Sequence, residues 1–278
     1  MSDKNDSLGN RMKQYEDLAR FKLMPRMPAI VRVDGHTFHS MVKRWNCVKP
    51  FDPELMNAMH QTALALCEAI QGAVFAYTQS DEISVGFIDY QNRDSSAWFD
   101  KTVQKMATIA ASVATKAFNF HYMMRGNVDV SGVQLKDMAE FDARVWVLPP
   151  AEVVNYFIWR NQDCTRNSVS MAARSMLSHK DCQGKTGNQL QELMFQRFGV
   201  NWNAYPTVCK RGACVYRRPD TKVVNGVEVN RRPWFVDVEP PIFSQDRWYV
   251  ERHFKVDETP KGSTPNTSHT SVEDANKA

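Results

Sequence analysis

The sequence lacks the features of a membrane or secreted protein. No stretch approaches the roughly 18 consecutive apolar residues that a membrane-spanning helix needs. The polar opening Met-Ser-Asp-Lys-Asn-Asp-Ser contains no apolar signal segment. The six cysteines include no Cys-x-x-Cys pair, which disfavours a zinc site and favours reduced thiols. We therefore expect a cytoplasmic protein with no membrane partner.

The sequence also lacks a strong charge of one sign. Its 278 residues carry 35 Lys and Arg against 31 Asp and Glu, a formal net charge of +4. A balance this mild permits a nucleic-acid partner but does not establish one. Hydrophobic residues at 43% and charged residues at 24% are ordinary for a globular protein. Composition therefore predicts a folded chain, and evidence on its function must come from its motifs.

The spacing of apolar residues predicts an α+β fold. A helix over 8–23, ended by prolines, precedes a βαββαβ series: strand 29–34, helix 52–70, strands 73–78 and 83–88, helix 96–120 and strand 143–148. This order is ferredoxin-like. We expect its first two strands to lie side by side, and we assign residues 1–150 to this core.

The remainder of the chain is predicted to complete the same domain. Residues 151–257 contain helical patterns over 152–177 and 189–198 and a short β-hairpin, with strands 213–216 and 234–238 around a tip at 224–227. Residues 258–278 are rich in Pro, Ser, Thr and Asn. Because they have too few apolar residues to offset the entropy of ordering, they are predicted to be a disordered tail.

Three acidic residues stand at the ends of predicted strands. Asp34 ends the first strand, and Asp81 and Glu82 lie at the hairpin between the next two. A buried carboxylate is costly unless a cation pairs with it, and carboxylates from separate strands form a typical Mg²⁺ site. A turn-capping role is the simpler reading of Asp34 alone. Together the residues predict the two-metal site of a phosphoryl-transfer enzyme.

The residues after Asp34 are suited to holding phosphate. Gly35 permits a close backbone approach, and the run Gly35-His36-Thr37-Phe38-His39 offers successive N–H donors. Lys49 lies just beyond this run, and Lys105 lies on the predicted long helix. Either lysine alone is more typical of a solvated surface charge, so their assignment to phosphate depends on the neighbouring motifs.

Five short motifs accompany these carboxylates. They are Val31-Arg32-Val33-Asp34-Gly35-x-x-Phe38-His39 with Lys49-Pro50, Tyr77-x-Gln79-Ser80-Asp81-Glu82-x-Ser84, Phe141-Asp142-x-Arg144-Val145, Trp159-Arg160-x-x-Asp163-Cys164 and Lys210-Arg211-Gly212. Together they resemble the histidine-tRNA guanylyltransferase family over about residues 8 to 217. The paired acidic motifs and their spacing are the most specific part of the match.

The resemblance implies a polymerase-palm-like fold and a nucleotidyltransferase that extends the 5′ end of tRNA in the 3′-to-5′ direction. It implies two Mg²⁺ ions, with GTP and ATP as substrates. Asp34, Asp81 and the Gly35 carbonyl would hold the metals, and Glu82 would orient the site or add a ligand. Because family members are commonly tetramers, a homotetramer is expected.

The resemblance also assigns binding residues. The triphosphate would lie against residues 35–39, Lys49, Ser80 and Lys105. The RNA would contact basic and polar positions of the C-terminal half, namely Arg160, Arg166, Asn167, Lys210 and Arg211.

One segment departs from the family pattern. Members dedicated to histidine tRNA carry His-Ile-Asn-Asn-Leu-Tyr-Asn after the Asp-Cys pair, whereas this chain has Thr165-Arg166-Asn167-Ser168-Val169-Ser170-Met171. The histidine, the second asparagine and the tyrosine are absent. The segment is more similar to the guanylyltransferase-like branch, which repairs truncated tRNA 5′ ends by template-directed addition.

Three alternatives remain open at this point. Dedicated addition of G to histidine tRNA would use the same core. A palm-type nucleotide cyclase would need the same metals but no RNA surface. A non-catalytic RNA-binding protein is disfavoured, because carboxylates repel the phosphates that such a surface must attract.

Overall fold

An antiparallel sheet of six strands forms the centre of the molecule, seen in a computed structural model that describes residues 7–125, 134–224 and 227–256. The strands are β1 (Ala29–His36), β2 (Ala73–Gln79), β3 (Glu82–Phe87), β4 (Glu140–Val147), β5 (Ala213–Arg217) and β8 (Trp234–Asp237), in the order β4-β1-β3-β2-β5-β8. Strands β6 (Asp220–Val224) and β7 (Val227–Arg231) form a separate two-stranded sheet.

The α+β class and the βαββαβ order of the core are confirmed. The expectation that β1 and β2 lie side by side is wrong, because β3 lies between them and pairs with both. The helical crossover from β1 to β2 leaves a gap one strand wide, and the tight turn after β2 folds β3 back into it. This arrangement brings the β2–β3 turn to the end of β1.

Nine α-helices surround the sheet in the described part of the chain. They are α1 (Ser7–Asp17), α2 (Phe38–Arg44), α3 (Pro53–Ala69), α4 (Val103–Arg125), α5 (Pro150–Met176), α6 (His179–Cys182), α7 (Gly187–Phe198), α8 (Thr207–Arg211) and α9 (Trp248–Glu251). Helix α3 begins as predicted: Asp52 accepts a hydrogen bond from the Leu55 backbone N–H at 2.9 Å, and Pro53 is its first residue. None of these helices has the length and apolarity to cross a membrane.

The two faces of the sheet carry different helices. Val31, Val33, Ile83 and Val85 pack towards α3 and α4, whereas Ile30, Phe75 and Tyr77 pack towards α5. Successive side chains of a strand point to opposite faces. Arg32 and Asp34 of β1 therefore lie on the α5 face, and so do Glu82 and Ser84 of β3, which hydrogen-bond to that helix.

Two helix boundaries differ from the sequence-based prediction. Helix α1 ends at Asp17 and not at residue 23, because residues 21–23 pair with 101–103 through backbone hydrogen bonds of 2.9–3.0 Å. Helix α4 begins at Val103 and not at residue 96. Lys101 is buried before it, donates to the Met24 and Met27 carbonyls and pairs with Asp89 at 3.1 Å.

The C-terminal part adds strands to the same sheet. The predicted strands 213–216 and 234–238 correspond to β5 and β8, which pair with each other, and β5 also pairs with β2. Strands β6 and β7 lie between them in sequence and were not predicted. Two residues of the predicted tip, 225 and 226, and the predicted tail 258–278 lie outside the described residues.

Candidate active site

Strand register brings the three predicted acidic residues together at one end of the sheet. Asp34 lies opposite Glu82 in the β1–β3 pair. The Gly35 backbone N–H donates to the Asp81 carbonyl oxygen at 3.0 Å. The β2–β3 turn is thereby tied to the end of β1, so that carboxylates distant in sequence become neighbours.

The charge on Asp34 and Asp81 is not balanced within the protein. Asp34 makes no side-chain hydrogen bond or ion pair with any residue of the described ranges. Asp81 accepts one from the Ser80 hydroxyl at 3.0 Å. Burial raises the pKa of the Asp81 carboxyl, and the nearby charge of Asp34 raises it further. The pair is therefore an unneutralised anionic site.

These residues fit a magnesium ion better than a softer metal. The described part of the chain contains no group of three or more His, Cys, Asp and Glu side chains placed to hold a metal. Magnesium, however, is commonly bound by one or two carboxylates, with waters and substrate phosphates completing its shell. Asp34, Asp81 and the adjacent Gly35 carbonyl offer such an all-oxygen set.

Glu82 differs from the other two carboxylates because a cation already neutralises it. The Arg160 guanidinium of α5 donates from Nε and one Nη to both Glu82 carboxylate oxygens, at 2.8 and 2.6 Å. Both side chains are less than 10% exposed. Burial raises the pKa of Glu82, and the Arg160 charge opposes that rise. Glu82 is therefore placed to orient the site through α5.

Arg160, a predicted RNA contact, is largely enclosed by its ion pairs, and its role in RNA binding stays a prediction. Arg160 is 6% exposed, and besides Glu82 it pairs with Asp163 at 3.0 Å. The Nε and one Nη of this guanidinium are therefore engaged by carboxylates of the protein itself. Arg166 and Asn167 are exposed and also bond to Asp163, at 3.0 and 3.3 Å, so they remain at the surface as predicted.

The loop after Asp34 is shaped by one buried ring. Phe38 is 4% exposed and packs edge-on against Phe141 and at a tilt against Phe118. A Cβ atom at Gly35 would lie 2.3 Å from that ring, so only glycine fits this position. Thr37 has a positive φ of 52°, which turns the chain out of β1 into α2. His36, Thr37 and His39 are exposed around the buried Phe38.

A cavity of about 530 Å³ opens beside Asp81. Its polar wall includes three residues predicted to bind the nucleotide, His39, Lys49 and Ser80, and one predicted to bind RNA, Asn167. Its apolar wall includes Phe51, Met59 and Met171. Burial lowers the pKa of His60, which also lines it, to about 4, so this ring is neutral at pH 7. The volume lies in the range of small-molecule sites.

Three other predicted residues do not line this cavity, although Lys210 and Arg211 lie between Cys209 and Gly212, which do. Lys105 lies near the start of α4, where its ammonium is 5.6 Å from the centre of the Phe99 ring. That end of α4 pairs with residues 21–23, which precede β1, whereas Asp34 lies near the other end of that strand. Lys210 donates to the Asn203 carbonyl at 2.6 Å, and the Arg211 carbonyl accepts from the Tyr77 hydroxyl at 2.7 Å.

Sequence reasoning missed Arg32 as a member of this site. It lies on the α5 face of β1, beside Glu82 and Tyr156, whose pKa values its charge lowers. The signal was present in the sequence, since an arginine between two valines of a buried strand must turn towards something polar.

Comparison with known proteins finds a matching family and similar proteins. A family model described as "Thg1: tRNAHis guanylyltransferase" matches residues 9–149. The tRNA(His) guanylyltransferase of Schizosaccharomyces pombe is 28% identical over 219 residues, which are 75% of this chain and 79% of that protein.

Two solved structures of a "Bacterial tRNA(HIS) Guanylyltransferase (Thg1)-Like Protein" are also similar, each with 40% identity. The complex with ATP has a TM-score of 0.78 and covers 90% of this chain and 100% of that one. The complex with GTP has a TM-score of 0.72 and covers 89% of this chain and 99% of that one.

The palm-like sheet and its strand-end carboxylates define the protein as a nucleotidyltransferase. More specifically, the chain belongs to the tRNAHis guanylyltransferase (Thg1) family.

Proposed function

We propose that this protein is a Mg²⁺-dependent 3′-to-5′ nucleotidyltransferase that adds nucleotides to the 5′ end of tRNA under the direction of the opposite strand. The observation that carries this proposal is the unneutralised pair Asp34 and Asp81 beside a nucleotide-sized cavity. Structures of similar proteins in complex with ATP and GTP support the choice of nucleotides.

The residues divide between metal and triphosphate. Asp34, Asp81 and the Gly35 carbonyl would hold two Mg²⁺ ions, and when bound the ions supply charge neutralisation at the reacting phosphates. Lys49, the Ser80 hydroxyl and the backbone N–H groups of residues 35–39 would bind and orient the triphosphate. Glu82, fixed by Arg160, would keep the β2–β3 turn in register with β1.

The reaction joins two substrates across the carboxylates. The 3′-hydroxyl oxygen of the incoming nucleotide loses its proton to solvent and attacks the α-phosphorus at the RNA 5′ end. From an RNA that ends in a triphosphate, the bond to the β-phosphate breaks and pyrophosphate leaves. An RNA that ends in a monophosphate is first adenylylated or guanylylated, with release of pyrophosphate, and the nucleoside monophosphate then leaves on attack. The protein positions the two substrates and neutralises charge.

The proposal that the opposite strand directs the addition rests on the segment 165–171. It lacks the histidine, the second asparagine and the tyrosine of the dedicated histidine-tRNA enzymes. Watson–Crick pairing would then select the nucleotide, and the protein would read RNA shape and backbone. Homotetramer assembly and a cytoplasmic location stay predictions from the resemblance and the sequence.

The test is a panel of tRNAs that lack their first nucleotide and differ only in the base opposite the gap. Each is incubated with Mg²⁺ and all four nucleoside triphosphates, and the added nucleotide is identified. We expect the complement of each opposing base. Efficient addition of G irrespective of that base would instead indicate dedicated histidine-tRNA activity. GTP converted to a cyclic product without RNA would indicate a cyclase.

A further inference from the structure

A polar surface lies next to Asp34 on the side away from the nucleotide cavity. In the β1–β4 pair Arg32 lies opposite Arg144, and Asp34 lies opposite Asp142. Directly opposed residues of antiparallel strands present their side chains on the same face. Two arginines therefore stand side by side one step along the strands from the carboxylates.

The neighbouring Glu82 carboxylate partly offsets the charge of Arg32, but it is also paired with Arg160, so the two opposed arginines leave positive charge for a further anion. Like charges directly opposite each other destabilise a strand pair. Arg144 forms an ion pair with Asp142 at 3.7 Å, and its side chain is 60% exposed. The buried Nε of Arg32 has no hydrogen-bond acceptor in the described ranges. Because the Arg32 Nε is enclosed by protein, the donors open to a ligand are the Nη groups of Arg32 and the exposed guanidinium of Arg144, and a phosphate is the anion that they suit best.

An exposed tryptophan borders the same surface. Trp159 of α5 is 47% exposed, and the Arg160 guanidinium lies 4.4 Å from the centre of its ring. Tyr156 and Arg160 of α5 bond to Ser84 and Glu82 of β3. The helix therefore advances along β3 towards the end at which Glu82 faces Asp34. Trp159 contacts the Tyr156 ring at 5.9 Å between ring centres and immediately precedes Arg160, which binds Glu82.

The nucleotide cavity does not account for these residues. Arg32, Arg144 and Trp159 are absent from its walls, which lie on the Asp81 side. A reaction between a triphosphate and an RNA end needs both substrates in reach of the same carboxylates. A cationic pair with an adjoining aromatic ring matches one phosphate followed by one base.

We propose that Arg32, Arg144 and Trp159 bind the 5′-terminal nucleotide of the RNA substrate. The guanidinium groups contact its phosphate, and the Trp159 indole stacks on its base. This proposal rests on the proposed function and adds the site for its second substrate. Stacking is tolerant of base identity, which agrees with nucleotide choice being made by the opposite strand.

Steady-state kinetics separate the two substrates. Trp159→Leu keeps apolar bulk but removes the aromatic face, and should raise the KM for truncated tRNA roughly ten- to hundredfold with the KM for GTP unchanged. Trp159→Phe keeps a ring and should recover most of the loss. Matched controls are Trp248→Ala and Arg247→Ala, which remove an exposed tryptophan and an arginine near α9 and should leave both KM values unchanged.

A binding measurement isolates the phosphate contact. RNA hairpins with a 5′-phosphate or a 5′-hydroxyl are titrated into the protein without nucleotide. The wild type should prefer the phosphate, and Arg144→Ala should lose that preference and lower the salt dependence by about one counterion. Arg144→Lys keeps the charge and should retain part of the preference.

The outcomes distinguish this site from the proposed function. If the wild type extends RNA while Trp159→Leu and Arg144→Ala keep its RNA affinity and phosphate preference, this site is wrong and the proposed function stands. If the wild type extends no RNA, the proposed function fails, and the hairpin titration still decides this site. Equal binding of the two hairpins by the wild type would overturn it.

Discussion

At the scale of single residues, the site depends on which carboxylates are neutralised within the protein. Glu82 has its own cation in Arg160, at 2.6 Å. Asp81 accepts a hydrogen bond from the Ser80 hydroxyl but pairs with no cation in the described ranges, and its pKa is raised by burial. The structure therefore separates Glu82, which is paired within the protein, from Asp34 and Asp81, which have no cationic partner among the described residues.

The first prediction concerns Asp81. Because folding raises its pKa above the ordinary value of 3.8, its favourable contribution to stability is complete below that pH and is lost as the pH rises through the folded-state pKa. In metal-free buffer at pH 7, Asp81→Asn should thus melt at or above the wild-type temperature. The difference should shrink towards pH 4.

The matched control for this prediction is Asp94→Asn, which alters an exposed loop carboxylate. It should leave the melting temperature unchanged at both pH values. Added Mg²⁺ should stabilise the wild type and not Asp81→Asn. A clear loss of metal-free stability in Asp81→Asn at pH 7 would contradict this assignment.

The second prediction concerns Lys49, an exposed residue at the cavity wall. Lys49→Ala removes a point charge from a polyanion, and a hydrogen bond to a charged group contributes about 1.5 kcal/mol. The KM for GTP should rise roughly tenfold, with the KM for RNA unchanged. Lys105→Ala is the matched control, because the structure places Lys105 away from the cavity. An unchanged KM for GTP in Lys49→Ala would remove it from the triphosphate site.

At the scale of elements, the pair Arg160–Glu82 connects α5 to β3. Both side chains are buried, and Arg160 also reaches Asp163 one turn along the helix. Removing one partner of a buried pair leaves the other charge unsatisfied, which is more costly than removing both. This contact fixes the position of the Glu82 carboxylate relative to α5.

The third prediction follows from that connection. Arg160→Met should lower the free energy of unfolding by about 3–5 kcal/mol, measured by chemical denaturation. Arg166→Met removes the exposed partner of the same Asp163, and should cost at most about 0.5 kcal/mol. The double variant Glu82→Gln with Arg160→Met should lose less than the two single losses combined. A loss in Arg160→Met as small as that in Arg166→Met would show that the pair is not structural.

The sequence predicts elements with local signals better than elements fixed by distant contacts. The start of α3 is set by Asp52 and Pro53, which are adjacent in sequence, and was predicted correctly. The start of α4 is set by Lys101, whose partners include Met24, Met27 and Asp89, and was not. Short helices such as α2 lack a full periodic pattern and were missed.

The same distinction applies to the site. Asp34, Asp81 and Glu82 could be found because each ends a strand in the sequence pattern. The division of labour among them could not, since it depends on Arg160, which lies 78 residues from Glu82 in the chain. The opposition of Arg32 and Arg144 likewise exists only in the register of β1 and β4.

At the scale of the whole molecule, two candidate substrate sites lie on either side of one pair of carboxylates at the end of the sheet. The cavity on the Asp81 side suits a nucleoside triphosphate. The arginines opposed across β1 and β4 suit a phosphate. Helix α5 crosses one face of the sheet and contributes Arg160 to the site itself and Asn167 to the cavity.

The fourth prediction is the most direct test of the central claim, that Asp34 and Asp81 carry Mg²⁺-dependent 5′ addition. A 5′-truncated tRNA is incubated with nucleotides and wild-type, Asp34→Asn, Asp81→Asn or Asp94→Asn protein, across a Mg²⁺ titration, and 5′ extension is measured by gel. We expect extension by the wild type and Asp94→Asn only, with the two site variants folded and at least a thousandfold slower, roughly the contribution of a charge-stabilising group at a reacting phosphate. Near-normal extension by either site variant, or extension by the wild type without a divalent ion, would contradict the account.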